Sequence, residues 1–160
     1  MSQSLCMTDE IEIIDYTPAH QPLFKSLNLE WLDAYHLTES HDLMVLDDPQ
    51  KTILDEGGVI YLAKCNDSIV GSAALMKEHE GVYELAKMAV LKEFQGKGIS
   101  KMLIEKCLAQ AVQLSAKKLT LFSNHQLQTA LHLYEKYGFR HVEVKNSPFE
   151  TADVKMELIL

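Results

Sequence analysis

The chain is predicted to form one α/β domain built on a mixed sheet, and three observations predict it. Short runs rich in Val, Ile, Leu and Ala alternate with stretches whose apolar residues recur at helical spacing. An apolar strand passes through a short glycine loop straight into an amphipathic helix at residues 88–114. No repeat, low-complexity tract or linker interrupts the 160 residues, a length that suits a single core. The predicted order is β-α-α-β-β-β-α-β-α-β-β.

Taken in order, residues 1–9 form a loose tail. Ile11-Glu12-Ile13-Ile14-Asp15-Tyr16 is a first strand, and Thr17-Pro18 opens a long helix with proline near its start. Leu23, Leu27, Trp31 and Tyr35 lie four apart and mark that helix's buried stripe. Asp47-Asp48-Pro49 opens a second helix that Gly57-Gly58 ends. Strands at 59–65 and 69–77 are joined by Asn66-Asp67-Ser68, a hairpin signal. A turn at Gly81 leads to a strand over 82–90. After the glycine-loop helix come a strand at 118–122 and a helix around Tyr134, which Gly138 stops. Strands at 139–145 and 154–160 close the chain, and an exposed edge near 154–160 makes a homodimer a candidate assembly.

Composition narrows the function classes. Hydrophobic residues make up 47% and charged residues 24%, as in an ordinary soluble globule. No apolar run is long enough to span a bilayer, so no membrane association is expected. A net charge of −8 argues against nucleic acid, which requires a basic face. Between Glu30 and Glu56 stand eight carboxylates and one lysine, Lys51, a local charge of −7. That run is either a solvated surface or an acidic rim that attracts a cationic amine. Cys6, Cys65 and Cys107 form no CxxC pair, and the N-terminus lacks a signal peptide's pattern. The expectation is a cytoplasmic protein with no structural disulfide and no metal.

The chemistry concentrates at Gln95-Gly96-Lys97-Gly98-Ile99-Ser100. A glycine loop at a helix start presents unpaired N–H groups and the positive end of the helix dipole, which suits a phosphate. A Walker loop would be longer, and the dinucleotide fingerprint would need glycine where Lys101 stands. The hexapeptide does resemble the Q/R-x-x-G-x-G/A signature of the GNAT superfamily of N-acetyltransferases, with Ser100 replacing the usual Gly or Ala. Leu133-Tyr134-Glu135-Lys136-Tyr137-Gly138-Phe139 is similar to a second segment of that superfamily, and Glu84–Val90 to the strand before the loop.

The resemblance, covering about residues 82–140, implies a fold in which two parallel strands, at 82–90 and 118–123, splay apart around acetyl-CoA. The cofactor's phosphates would take N–H groups from Gly96 to Lys101, with Lys97 and Lys101 adding charge. Main chain at Met88, Ala89 and Val90 would pair with the pantetheine arm, and the N–H of Met88 or Val90 would meet the oxyanion.

Acyl transfer to an amine needs a base for the ammonium, with a pKa of about 10, and an acid for the leaving thiolate, with a pKa of about 8.5. Tyr134 matches the tyrosine that serves as acid in the family, and Glu84 the glutamate that some members use as base. Strand alternation would put Glu84, Ala86, Met88 and Val90 on one face. Asn124 either contacts the cofactor or caps a helix, since Leu127 stands where the family often has asparagine. No cysteine has a histidine motif beside it, so direct transfer is favoured over an acetyl-cysteine. The acceptor, a small-molecule or peptide amine, would bind between the helices of 18–56 and the last hairpin, against Trp31, Tyr35, Glu78, His79 and Phe149. The alternative is a non-catalytic CoA-binding or sensing module of the same fold.

Overall fold

The structure, a computed structural model, describes residues 10–160. The tail expected at residues 1–9 lies outside the described residues. A seven-stranded sheet runs in the order β1-β2-β3-β4-β5-β7-β6: β1 Ile11–Asp15, β2 Val59–Cys65, β3 Ser68–His79, β4 Val82–Val90, β5 Lys118–Ser123, β6 Arg140–Val142 and β7 Val154–Ile159. Every neighbouring pair is antiparallel except β4 and β5. β7 lies inside the sheet, between β5 and β6, so the edge expected there is instead supplied by β1 and β6. Residues 154–159 are thus not an edge strand through which two copies could pair.

The helices α1 (Gln21–Ala34), α2 (Ser40–Asp47), α3 (Ile99–Gln113) and α4 (Gln128–Lys136) cover both faces. Under α3 and α4, Leu103 and Ile104 of α3 pack with Leu119, Leu121 and Met156 of the sheet. Against α1 and α2 pack Phe24, Val45, Leu46, Leu62 and Ala74. Each fully buried side chain of this size contributes about 1.5–3 kcal/mol through area removed from water.

The region before β2 departs from the sequence expectation. The second helix begins earlier, at Ser40, and ends before Pro49; a separate π-helical turn, Gln50–Leu54, follows. Glu39 and Asp42 form a capping box, each carboxylate taking the other's main-chain N–H, and this sets the helix start. The buried stripe of α1 is centred on Phe24, Leu27 and Asn28, while Leu23 is exposed. Four-residue spacing drifts around a helix of 3.6 residues per turn, and Leu23 falls off its edge. Cys65, at the end of β2, is disulfide-bonded, so the cysteines carry no argument for a reducing compartment. No helix among the described residues is long and apolar enough to cross a membrane.

Two irregularities of β4 position the site. It pairs with β5 only at Val82, Tyr83 and Glu84, opposite Lys118, Leu119 and Thr120; beyond Thr120, β5 pairs with β7 alone. From Leu85 to Val90 the edge of β4 that faced β5 therefore has no strand partner. The register with β3 also shifts: Ala86 pairs with Ala74, but Ala89 pairs with Ser72. Two residues of β4, Lys87 and Met88, thus oppose one of β3, and Lys87 takes φ +53°. This bulge breaks the expected alternation. Glu84 stands opposite Met76, which packs towards α1 and α2, whereas Val90 belongs to the core under α3.

Candidate active site

Where β4 and β5 part, a cleft of about 470 Å³ opens, and it runs from the glycine loop to α1, α2 and the loop at 146–152. At its first end, Gly96 and Gly98 have φ +78° and +81°, a conformation that glycine adopts without a Cβ clash. A Cβ built on either meets nothing within 4 Å, so the space in front of the loop is open. Met102 N–H donates to the Gly98 carbonyl at 3.1 Å and closes the first turn of α3, leaving the N–H groups before it for a ligand. Ile99 buries its side chain in the core, so its offering is main chain. Ser100 and Lys101 line the cleft. Lys97 instead lies 5.4 Å from the centroid of the Phe94 ring. The Gln95 amide donates to the Val90 carbonyl at 3.2 Å and braces the loop on the strand. A glycine cradle with open space before it, dipole-positive N–H groups and an unpaired strand edge together fit an anionic group with an extended amide-bearing arm, the chemistry of CoA.

Midway along, Tyr134 and Glu84 line the same cleft. Tyr134 is fixed by the end of α4: Phe139 N–H donates to the Tyr134 carbonyl (3.1 Å) and Gly138 N–H to that of Glu135 (3.0 Å), a Schellman closure with Gly138 at φ +97°. Phe139 also meets the Tyr134 ring edge-on at 5.9 Å. Burial raises the phenol well above its ordinary value, so it stays protonated and can only donate to a developing anion. The Glu84 carboxyl is raised to about 7, chiefly by burial and partly offset by the Lys87 charge. A carboxylate at that value is both a populated base and a usable proton acceptor near neutrality.

Asn124 also lines the cleft, yet its side chain is occupied. Its amide donates to the Thr151 carbonyl at 2.7 Å and its oxygen accepts from Gln126 N–H at 3.0 Å. At the far end, Trp31, Tyr35 and Phe149 line the cleft as expected. Glu78 and His79 do not; Glu78 accepts a hydrogen bond from the Thr120 hydroxyl, and His79 is exposed.

Sequence reasoning missed the groups that hold this end together. Lys87 Nζ and Asp42 Oδ1 form an ion pair of 2.7 Å whose side chains are 5% and 4% exposed. Asn28 donates to the Ser72 hydroxyl at 3.0 Å, and that hydroxyl donates to the Lys87 carbonyl at 2.7 Å. Glu39 accepts from the N–H groups of Glu150 (2.8 Å) and Thr151 (3.0 Å) and from the Thr151 hydroxyl, tying α2 to the 146–152 loop. Three of the run's eight carboxylates are occupied in this way: Glu39 holds this loop, Asp42 pairs with Lys87, and Asp47 pairs with Lys25 at 2.5 Å. Partners 45 residues apart leave no local signal in a sequence; the only hint was a lysine inside an apolar strand.

Comparison with known proteins bears on the same residues. The model of the Acetyltransferase (GNAT) family matches residues 21–139. The uncharacterized N-acetyltransferase YvbK of Bacillus subtilis (strain 168) is 33% identical over 105 residues, covering 64% of this chain and 68% of YvbK. A GNAT-family acetyltransferase of Staphylococcus aureus Mu50 superposes with a TM-score of 0.85 at 21% identity, covering 92% of this chain and 97% of its own. A GNAT-family acetyltransferase of Elizabethkingia anophelis with acetyl-CoA bound superposes with a TM-score of 0.62 at 25% identity, covering 95% and 99%. The sequence signature, the parted strands and the family match agree: this chain belongs to the GNAT family of acetyltransferases.

Proposed function

We propose that the protein transfers the acetyl group of acetyl-CoA to a primary amine by direct attack within this cleft. The observation that carries the reading is that one cleft, opened where β4 and β5 part, is lined by the glycine loop, by the carboxyl of Glu84 and by the phenol of Tyr134. When bound, acetyl-CoA supplies an acyl carbon activated as a thioester. The N–H groups from Gly96 to Lys101 would hold its phosphates, and the unpaired edge of β4 would hold its pantetheine arm. Glu84, directly or through water, takes the proton of the ammonium so that nitrogen can form the C–N bond. The N–H of Met88 or Val90 serves the acyl oxygen as charge gathers there. Tyr134 would give its proton to the sulfur as the C–S bond breaks and regain the second proton that the nitrogen sheds on becoming an amide, while Glu84 releases the first to solvent, so that amide, free thiol and one proton are the net products.

A covalent enzyme intermediate finds no support. No cysteine lines the cleft among the described residues, and burial pushes the Cys107 thiol up to about 12, where almost no thiolate exists near neutrality.

The experiment is free-thiol release from acetyl-CoA across pooled apolar monoamines, polyamines, aminoglycosides, amino acids, peptides and lysine side chains, with Glu84→Gln as control. The expected outcome is a pool that releases thiol with the native protein and at least about a hundredfold more slowly with the variant. Binding of acetyl-CoA without turnover in any pool would favour the CoA-binding module.

A further inference from the structure

The walls of the acceptor end restrict the amine, on the reading that acetyl transfer occurs here. Three charged residues, Asp42, Glu84 and Lys87, line the cleft away from the glycine loop. Lys87 and Asp42 neutralise each other across 2.7 Å and are almost wholly enclosed. The neighbouring charges are occupied outside the lining: Glu78 is bonded to the Thr120 hydroxyl, and Lys155 is 4.0 Å from Glu157. His41, edge-on to Phe149 at 5.0 Å, is held below its ordinary value by burial and by Lys87 and is neutral at physiological pH. Glu84 is left as the one charge facing the ligand without a hydrogen-bond partner among the described residues.

Around it the surface is aromatic. Trp31 and Tyr35 pack with ring centroids 5.3 Å apart on one side, and Phe122 and Phe149 meet at 6.4 Å on the other. The polar side chains between them are spent internally: both N–H groups of the Asn28 amide are donated, and Thr151 is bonded to Glu39. A second ammonium on the acceptor would find no free carboxylate. A carboxylate on it would find no free cation and would lie against Asp42 and Glu84.

We infer that the acceptor is a primary monoamine on an apolar, preferably aromatic, body, with its one ammonium at Glu84 and its rings or chain among Trp31, Tyr35, Phe122 and Phe149. The site thereby selects against amino acids and polyamines, although both are amines. Selection rests on leaving an added charge unpaired in an enclosed site, which costs far more than an added methylene.

Two matched pairs of acceptors test this with the native protein and saturating acetyl-CoA. Phenethylamine and L-phenylalanine differ by a carboxylate; n-hexylamine and hexamethylenediamine differ by a second ammonium. The uncharged-tail member of each pair is expected to have a kcat/KM about 10- to 100-fold higher, the scale of one unpaired polar or charged group. Asp42→Asn frees the Lys87 charge and is expected to raise the phenylalanine-to-phenethylamine ratio by about tenfold. Lys87→Met frees Asp42 and raises the diamine-to-monoamine ratio instead. A ratio is unmoved by a general loss of folded protein, so neither variant need be fully stable.

Higher kcat/KM for L-phenylalanine or the diamine overturns the inference and leaves acetyl transfer standing. Silence with all four amines also overturns it, and turnover in the broader pools then shows that the transferase reading survives.

Discussion

At the residue scale, Glu84 and Tyr134 owe their chemistry to burial, and each makes a separable prediction. Glu84 is raised to about 7 because ionising it inside the cleft costs more than ionising it in water. Activity should therefore fall as pH drops through about 7, on a limb that Glu84→Gln lacks; a pH profile of kcat/KM checks it. Stability runs the other way. The folded state binds a proton that the unfolded chain has released, so this group's favourable contribution is complete below about pH 4.3 and is lost as pH rises through about 7. Glu84→Gln should be more stable than the native protein at pH 8, by about 3–4 kcal/mol, and equally stable at pH 4; denaturant titration at the two values decides it. Motif position singles out both residues in the sequence, and the structure places both in one cleft. The environment of Glu84 was not legible there, because beyond Lys87 on its own strand its charged neighbours come from α2, β3 and β7, and a bulge at Lys87 puts Val90 on the other face from Glu84, which alternation cannot foresee.

At the element scale, the strand–loop–helix unit was legible almost to the residue. Glycines at 96 and 98 before a helical apolar pattern leave few alternatives, and the structure finds both at positive φ with open space before them. Gly98→Asp should fold, since its Cβ meets nothing, at a cost of about 1–2 kcal/mol for the left-handed backbone. Its affinity for CoA should fall at least about tenfold through charge repulsion and lost approach; calorimetry on the folded variant measures this. Unchanged affinity would remove the phosphates from this loop. The helices before β2 were less legible. The run from 30 to 56 reads as one acidic surface, but Glu39 and Asp42 are acids that build the fold. Asp42→Ala would strand the Lys87 charge and should cost about 3–5 kcal/mol.

At the scale of the whole molecule, the sheet is joined at its centre by three residue pairs between β4 and β5, and the gap beyond them is the candidate site. A ligand that lies along the open edge of β4 completes the sheet, so binding and stability are linked. At a hundred times its dissociation constant, CoA should add about 2.7 kcal/mol, a rise in Tm of roughly 5–10 °C for a chain of this size. A thermal melt with and without CoA checks it. The strand count and order along the chain could be read from periodicity. The position of β7 between β5 and β6 could not, because nothing local in residues 139–160 states which strand each will join.

The most direct test of the account is to compare native protein and Tyr134→Phe for both thiol release with an accepted amine and acetyl-CoA affinity. The ring keeps its packing on Phe139, so only the hydroxyl is lost. A fall in kcat of about 10²–10⁴ with affinity unchanged is the expected result. Equal turnover in the two proteins would contradict it and place the proton donor elsewhere in the cleft.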